Sequence, residues 1–338
     1  MSQVFRAPSI SDIFAGAASS APTFVDPCIG YIPGTSPSSE NNACGAPTGA
    51  TAIPVGGTQA TNSTQANAIV SGAQYAGYSL KPEYGKSFDF GFVYDPHWLA
   101  GFSTSVDLWR IYLNNTITNI QAQTAANVCF SDPSSIYCSL IHRYSNGQLS
   151  TILTPTVNLG RLDTSGVDFG FRYRFPHFDV MGVNPGNFGI QFDSTYISKY
   201  NDAPAPGISS VAVIHNAGIY TSQFGNFARW RALGTLNWDR GPWNAMWRMR
   251  YIGHIGVPIQ DFGTGAFTEF HFGAYVYNDF SIGYEIAPIN TKLQVGVNNA
   301  FNKQPPIFTQ NVVINANTDV NTYDVIGRYY WANATVKF

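Results

Sequence analysis

Charge is scarce in this chain: Asp, Glu, Lys and Arg make up 11% of 338 residues, against roughly 25% in soluble domains. The net charge of −2 offers no electrostatic case for a nucleic-acid partner. Long apolar runs are missing too, and no window approaches the ~18 residues that a spanning helix needs. The opening "MSQVFRAPSI" lacks a basic segment followed by an apolar core, so no signal peptide is read there. No nucleophile constellation or paired-carboxylate motif stands out. The stretch "GTGAF" lacks the strand–turn–helix setting of a phosphate loop. His97, His142, His177, His215, His254 and His271 are scattered without ligand spacing, which argues for ordinary loop histidines over a metal site. The reading is therefore of a protein that is not an enzyme and carries no cofactor.

Aromatics, by contrast, are abundant, with 24 Phe, 19 Tyr and 7 Trp. Few charges, many aromatics and no apolar run fit a membrane β-barrel, in which only every second residue meets lipid. Composition alone fits a soluble, aromatic-rich β-sandwich equally well.

Periodicity narrows the choice. In "VDFGFRYRF" at 167–175, Val167, Phe169, Phe171, Tyr173 and Phe175 share one face, and Asp168, Gly170, Arg172 and Arg174 share the other. "SFDFGFVY", "DFSIGYEI" and "WNAMWRMRY" repeat the pattern. About ten strands are expected, near 3–13, 81–94, 100–113, 158–175, 188–199, 228–238, 243–253, 272–286, 291–301 and 326–338. Their connections alternate. Four are short, around "DPHWLAG", 176–187, "DRGP" and "APINT". Five are long, near 15–80, 114–157, 200–227, 254–271 and 302–325. Short turns at one end and long loops at the other are the layout of an outer-membrane barrel, periplasmic below and extracellular above. Trp98, Trp238 and Trp243 gather beside the short turns, where an interfacial girdle belongs. The fold class is thus all-β, an antiparallel transmembrane β-barrel portion that contacts outer-membrane lipid.

Within that frame, Cys28 and Cys44 sit in the first long loop, and Cys129 and Cys138 in the second. External loops are oxidising territory, so two loop-stapling disulfides are expected. The pairing rests on proximity, and four cysteines allow three connectivities. Asp89, Asp107, Asp168, Arg172, Arg174, Arg248, Arg250, Asp279 and Glu285 fall on the face expected to line the lumen. Cation–carboxylate pairing between strands is the ordinary use of such residues, and guidance of a polar solute is the functional one. Tyr31, Phe262, Phe267 and Phe270 are loop aromatics that could stack on a sugar or an aromatic chelator.

Five stretches, in order, resemble the C-terminal half of TonB-dependent outer-membrane receptors. They are "FRAPSISDIF", "LKPEYGKSFDFGF", "NLGRLDTSGVDFGF", "VGVNNAFNKQPP" and "YDVIGRYYWANATVKF". In the third, Gly166 and Asp168 match residues that open a strand; in the last, Gly327 and Arg328 match. The resemblance implies a barrel of about 22 strands filled by an N-terminal plug and energised through TonB. Such a receptor imports siderophore-iron, cobalamin, haem or carbohydrate across the outer membrane of a Gram-negative bacterium. It implies that Tyr330, Val336 and Phe338 form the terminal signature read by the outer-membrane assembly machinery. No plug, TonB box or signal peptide is read in this sequence. Residues 1–338 are accordingly expected to be the C-terminal part of a longer receptor, with 326–338 as the closing strand, not competent for transport alone. The alternatives are a self-closing ten-stranded outer-membrane hydrolase or porin-like protein, and a soluble β-sandwich adhesin.

Overall fold

The computed structural model describes residues 2–20, 25–33, 35, 42–45, 53, 67–206, 208, 211–221, 225–260, 267–307 and 317–337. Ten strands follow one another as an antiparallel meander: β1 (Ser2–Arg6), β2 (Glu83–Tyr94), β3 (Phe102–Asn119), β4 (Leu149–Arg174), β5 (Asn187–Ala203), β6 (Trp230–Arg240), β7 (Trp243–Ile252), β8 (Tyr275–Ile286), β9 (Thr291–Asn298) and β10 (Tyr329–Val336). Each strand pairs with its sequence neighbours. Among the described residues no ladder joins β1 to β10, so the sheet is an arc of barrel wall and not a closed barrel. The self-closing ten-stranded alternative therefore finds no support.

Cross-strand partners share a face, and the register carries the two-faced pattern around the arc. One row runs Phe102, Tyr173, Ile190, Leu236, Trp247, Phe280, Val297, Tyr330 across seven ladders. On the opposite face Ser103, Arg172, Gln191, Thr235, Arg248 and Asp279 are aligned. A slip of one residue on any strand would exchange the two rows. Aromatic neighbours reinforce the apolar face: Phe171 and Phe192 stack at 5.5 Å, and Trp247 and Phe280 at 6.3 Å.

The four short connections hold as read. Of these, Arg240 and Trp243 close the tightest, between β6 and β7. The other ends differ from expectation. The first strand stops at Arg6, where Ser9 and Asp12 form a capping box that opens helix α1 (Ile10–Phe14). An N-cap that satisfies the exposed N–H groups of a first turn overrides the strand reading of 3–13. β3, β4 and β5 overrun their expected limits, and β4 reaches 26 residues, roughly 85 Å of extended chain. That carries it far beyond a ~30 Å hydrocarbon layer. Gly166 and Asp168 consequently lie inside β4 rather than at its start.

The long connections are structured. Residues Asn67–Ser71 pair in parallel with 151–155 of β4, and Ala18–Ser20 pair with Asn67–Ser71 in turn. Helix α2 (Ala122–Ser131) packs beside them. The expected loop at 254–271 contains a hairpin, Ile255–Gln260 against Phe267–Phe272.

Candidate functional site at the lumen wall and the long-loop end

The loop layer over β3 and β4 has a core of its own. Ala125 and Ile152 are fully buried, with Val128, Tyr137, Leu140 and Ile141 around them. Cys28 is bonded to Cys44, and Cys129 to Cys138. Arg143 grips Asp26 through both guanidinium nitrogens, at 2.8 and 3.1 Å. Their side chains are only 5% and 2% exposed. That pair ties the first long loop to the second, and Gln123 adds two hydrogen bonds to the backbone of Val25. Beneath the layer lies a cavity of about 350 Å³, lined by Tyr78, Lys81, Ile120, Tyr137 and Leu159. The buried Tyr137 hydroxyl has no hydrogen-bond partner among the described residues, and burial pushes its pKa up to about 12. It therefore remains a neutral donor.

A second cluster stands over β7 and β8. Tyr277, fully buried, packs with Tyr220, Ile252, Ile255 and Tyr323. Arg250 is held between Asp279, at 3.3 Å, and Asp324, and lies 5.0 Å over the Tyr277 ring. Asp324 belongs to the last long loop, so this clamp pins that loop against the inner face.

Several stretches that carry the resemblance turn out to be fasteners at the long-loop end. Arg6 forks onto the buried Glu83 at 2.7 and 2.9 Å, and Glu83 also accepts from the Ile117 amide. Asn299 bridges both backbone groups of Lys303, while its own amide donates to Asp279. Asn302 accepts from the Arg328 amide, and the Arg328 side chain donates to the Ala300 carbonyl. Gly327 adopts φ +78° beside Asn302, a conformation that favours glycine. "NNAFNKQPP" and "IGRYYW" are thus two halves of one turn lock. Gly166 serves a different purpose. A Cβ there would lie 2.4 Å from the Trp109 ring, which covers the glycine across the ladder.

Most of the inner-face charges are not paired with one another. Arg250 with Asp279 is the wall-to-wall bridge among those nine. Asp107 and Asp168 sit directly opposite each other on β3 and β4. Neither has an ion-pair or hydrogen-bond partner among the described residues, and Asp168 Oδ1 is shut off from solvent. Like charges placed opposite each other are destabilising, so this pair weakens the ladder unless a positive or proton-donating group faces it. The simple expectation of cation–carboxylate pairing did not anticipate this, although the pattern that placed both residues on one face was visible.

The remaining expected sites are spread out. Tyr330 and Val336 lie on the outer face of β10, 69% and 47% exposed, and Phe338 is outside the described residues. Phe262 and the neighbouring Asp261 also lie outside them, as does much of the first loop. Tyr31 is buried against the Cys28–Cys44 bridge, unsuited to stacking on a ligand, whereas Phe270 is exposed. His254 precedes the hairpin whose second strand ends beside His271, and His271 Nδ1 lies 3.6 Å from Glu269. No group of three or more His, Cys, Asp or Glu side chains is assembled for a metal among the described residues.

Comparison with known families now bears on this wall. The family model for the TonB dependent receptor-like β-barrel matches residues 2–300. The chain belongs to that family. TonB-dependent receptors are outer-membrane transport β-barrels and not enzymes. Among solved structures, a mutant of the ferric enterobactin receptor PfeA from Pseudomonas aeruginosa superposes with a TM-score of 0.56 at 13% identity. That match covers 99% of this chain and 37% of PfeA. A second PfeA mutant, in complex with enterobactin, gives 0.53 at 15% identity over 81% of this chain and 34% of that one. The siderophore receptor PirA of Acinetobacter baumannii gives 0.51 at 13% identity, over 82% and 34%. The chain thus spans little more than a third of the length of these receptors, and the likeness is one of fold. No curated protein matches it by sequence.

Proposed function

We propose that residues 1–338 form the C-terminal arc of a receptor barrel that takes up a scarce ligand across the outer membrane, driven by TonB. The observation that carries this reading is the two-faced register that runs through all ten strands, within a receptor family. The apolar face meets hydrocarbon. The inner face, with the opposed Asp107 and Asp168 carboxylates, closes around the plug of the receptor. Ferric siderophore is placed first among ligands because PfeA is by name a ferric enterobactin receptor and PirA a siderophore receptor. Cobalamin, haem and carbohydrate are the competing outcomes. Tyr330 and Val336 stand on the closing strand, and together with Phe338 in the sequence they match a terminal signature offered to the assembly machinery. The two disulfides and the Asp26–Arg143 pair hold the external loops in shape to receive ligand.

The test is uptake of iron-55 as ferric enterobactin and as ferric citrate by iron-starved cells with and without the gene, in TonB-positive and TonB-negative backgrounds. Uptake of one chelate should require both gene and TonB. Uptake independent of the gene for both would remove the siderophore assignment, and recovery of the protein in a carbonate-soluble fraction would remove the barrel.

A further inference from the structure

The loop layer is braced by two disulfides and the Asp26–Arg143 pair, yet it leaves the cavity of about 350 Å³ unfilled. An open space beside a core and the unpartnered Tyr137 hydroxyl both lower stability. Folding alone gives no reason to keep them. Three segments meet around the space: residues 78–81 at the end of the first long loop, residues 136–140 in the second, and residues 157–159 on β4. The rim is fixed in place. Asn158 accepts from the Lys81 amide at 2.6 Å and donates to the Lys81 carbonyl at 2.8 Å. A strand of the wall therefore holds the Lys81 backbone beside the cavity, while Lys81 itself is exposed.

Three properties of the walls select an occupant. Leu80, Ile120, Leu140, Val157 and Leu159 make them mainly apolar. Lys81 supplies their single charge, and no ion pair engages it among the described residues. The volume lies at the small end of ligand pockets, roughly 300–1,000 Å³, and matches about a dozen waters. A hydrated inorganic anion would leave the apolar walls uncovered, and a neutral hydrocarbon would leave Lys81 without counter-charge. A whole ferric chelate is too bulky to enter. We propose that this cavity binds a small hydrophobic monocarboxylate of about a dozen non-hydrogen atoms. Its carboxylate meets Lys81, and its apolar body lies against Leu140, Val157 and Leu159. The site is separate from the uptake path proposed above, and its occupancy ties the first long loop to the second.

The protein in neutral-detergent micelles would be titrated calorimetrically with 3-phenylpropanoate, with the isosteric 3-phenylpropanamide and with acetate. The acid should bind saturably and tighter than about 1 mM, and acetate should not. The amide should bind about 5-fold more weakly, the equivalent of ~1 kcal/mol for one exposed charge pair. Lys81→Gln should erase the difference between acid and amide. Because Lys81 is exposed, this change leaves the fold intact. Lys86→Gln, which removes an exposed lysine outside the cavity, should preserve the difference. Hydrogen exchange should slow on binding at residues 78–81 and 136–140. Equal affinity for acid and amide, a preference that survives Lys81→Gln, or protection only elsewhere overturns the proposal. Iron uptake with and without the gene and TonB decides the uptake reading alone, so the two proposals fail separately.

Discussion

Phe90, in the wall, leaves 73% of its surface exposed, whereas Ile152, in the loop layer above it, leaves none. The two regions are continuous through β4, yet they obey opposite solvents. The wall has little interior between its faces. Its stability comes from ladders whose every backbone group must be paired in hydrocarbon, and its large side chains point outward. The loop layer is built like a small water-soluble domain, with apolar side chains inside, a buried ion pair and two disulfides. One chain can therefore carry both designs, provided that the change of solvent occurs at a fixed height on the strands. The row of Arg110 and Lys199 marks that height on the outer face.

Four substitutions would sharpen or break this contrast. The largest effect is expected in the loop layer. Asp26→Ala removes the carboxylate that neutralises the buried Arg143 guanidinium, a loss of about 3–5 kcal/mol. Hydrogen exchange should then rise across helix α2 and the Asn67–Ser71 strand while the wall ladders stay protected. Parallel loss of protection in β6 to β8 would show that the two regions are one cooperative unit.

Next comes the wall. Phe92→Arg puts a charge on the outer face, near the middle of the apolar band, and should cost ~2–4 kcal/mol in refolding into bilayers. Val93→Arg, one residue on and facing the lumen, should cost less than about 0.5 kcal/mol. Similar costs for the two would mean that the faces do not meet different solvents.

The smallest effect has the opposite sign. Asp107→Asn relieves the opposition with Asp168 and should stabilise this arc by roughly 0.2–1 kcal/mol, read as a raised denaturation midpoint of the chain refolded without a plug. With the plug present the same change should weaken plug retention, because a favourable charge contact is lost. Stabilisation in both states would show that the carboxylate pair has no partner in the lumen.

Much of the wall was legible beforehand because a strand's two-residue period writes each face directly into the sequence. Phe169 and Asp168 are assigned to their sides by position alone. The four short turns were legible for a similar reason, since Pro interrupts the alternation at each of them, with Gly beside it at three. The strand ends at the long-loop side were not. β4 continues to Leu149 because residues 67–71, some eighty positions earlier, pair with it. A partner so distant leaves no local mark. The fasteners Arg6–Glu83 and Asn302–Arg328 were visible as familiar strings, but their purpose was not, since each joins segments separated by a whole loop.

Local alternation by itself determined that this protein is a wall with an oily and a wet side, because side-chain direction in a strand depends only on residue parity. Tertiary structure decided which carboxylates stand unpaired, where the surface turns from apolar to cationic, and which loop residues acquire an interior. Those properties depend on register between strands, and register is settled by the sum of contacts along a ladder, which no single stretch of sequence contains.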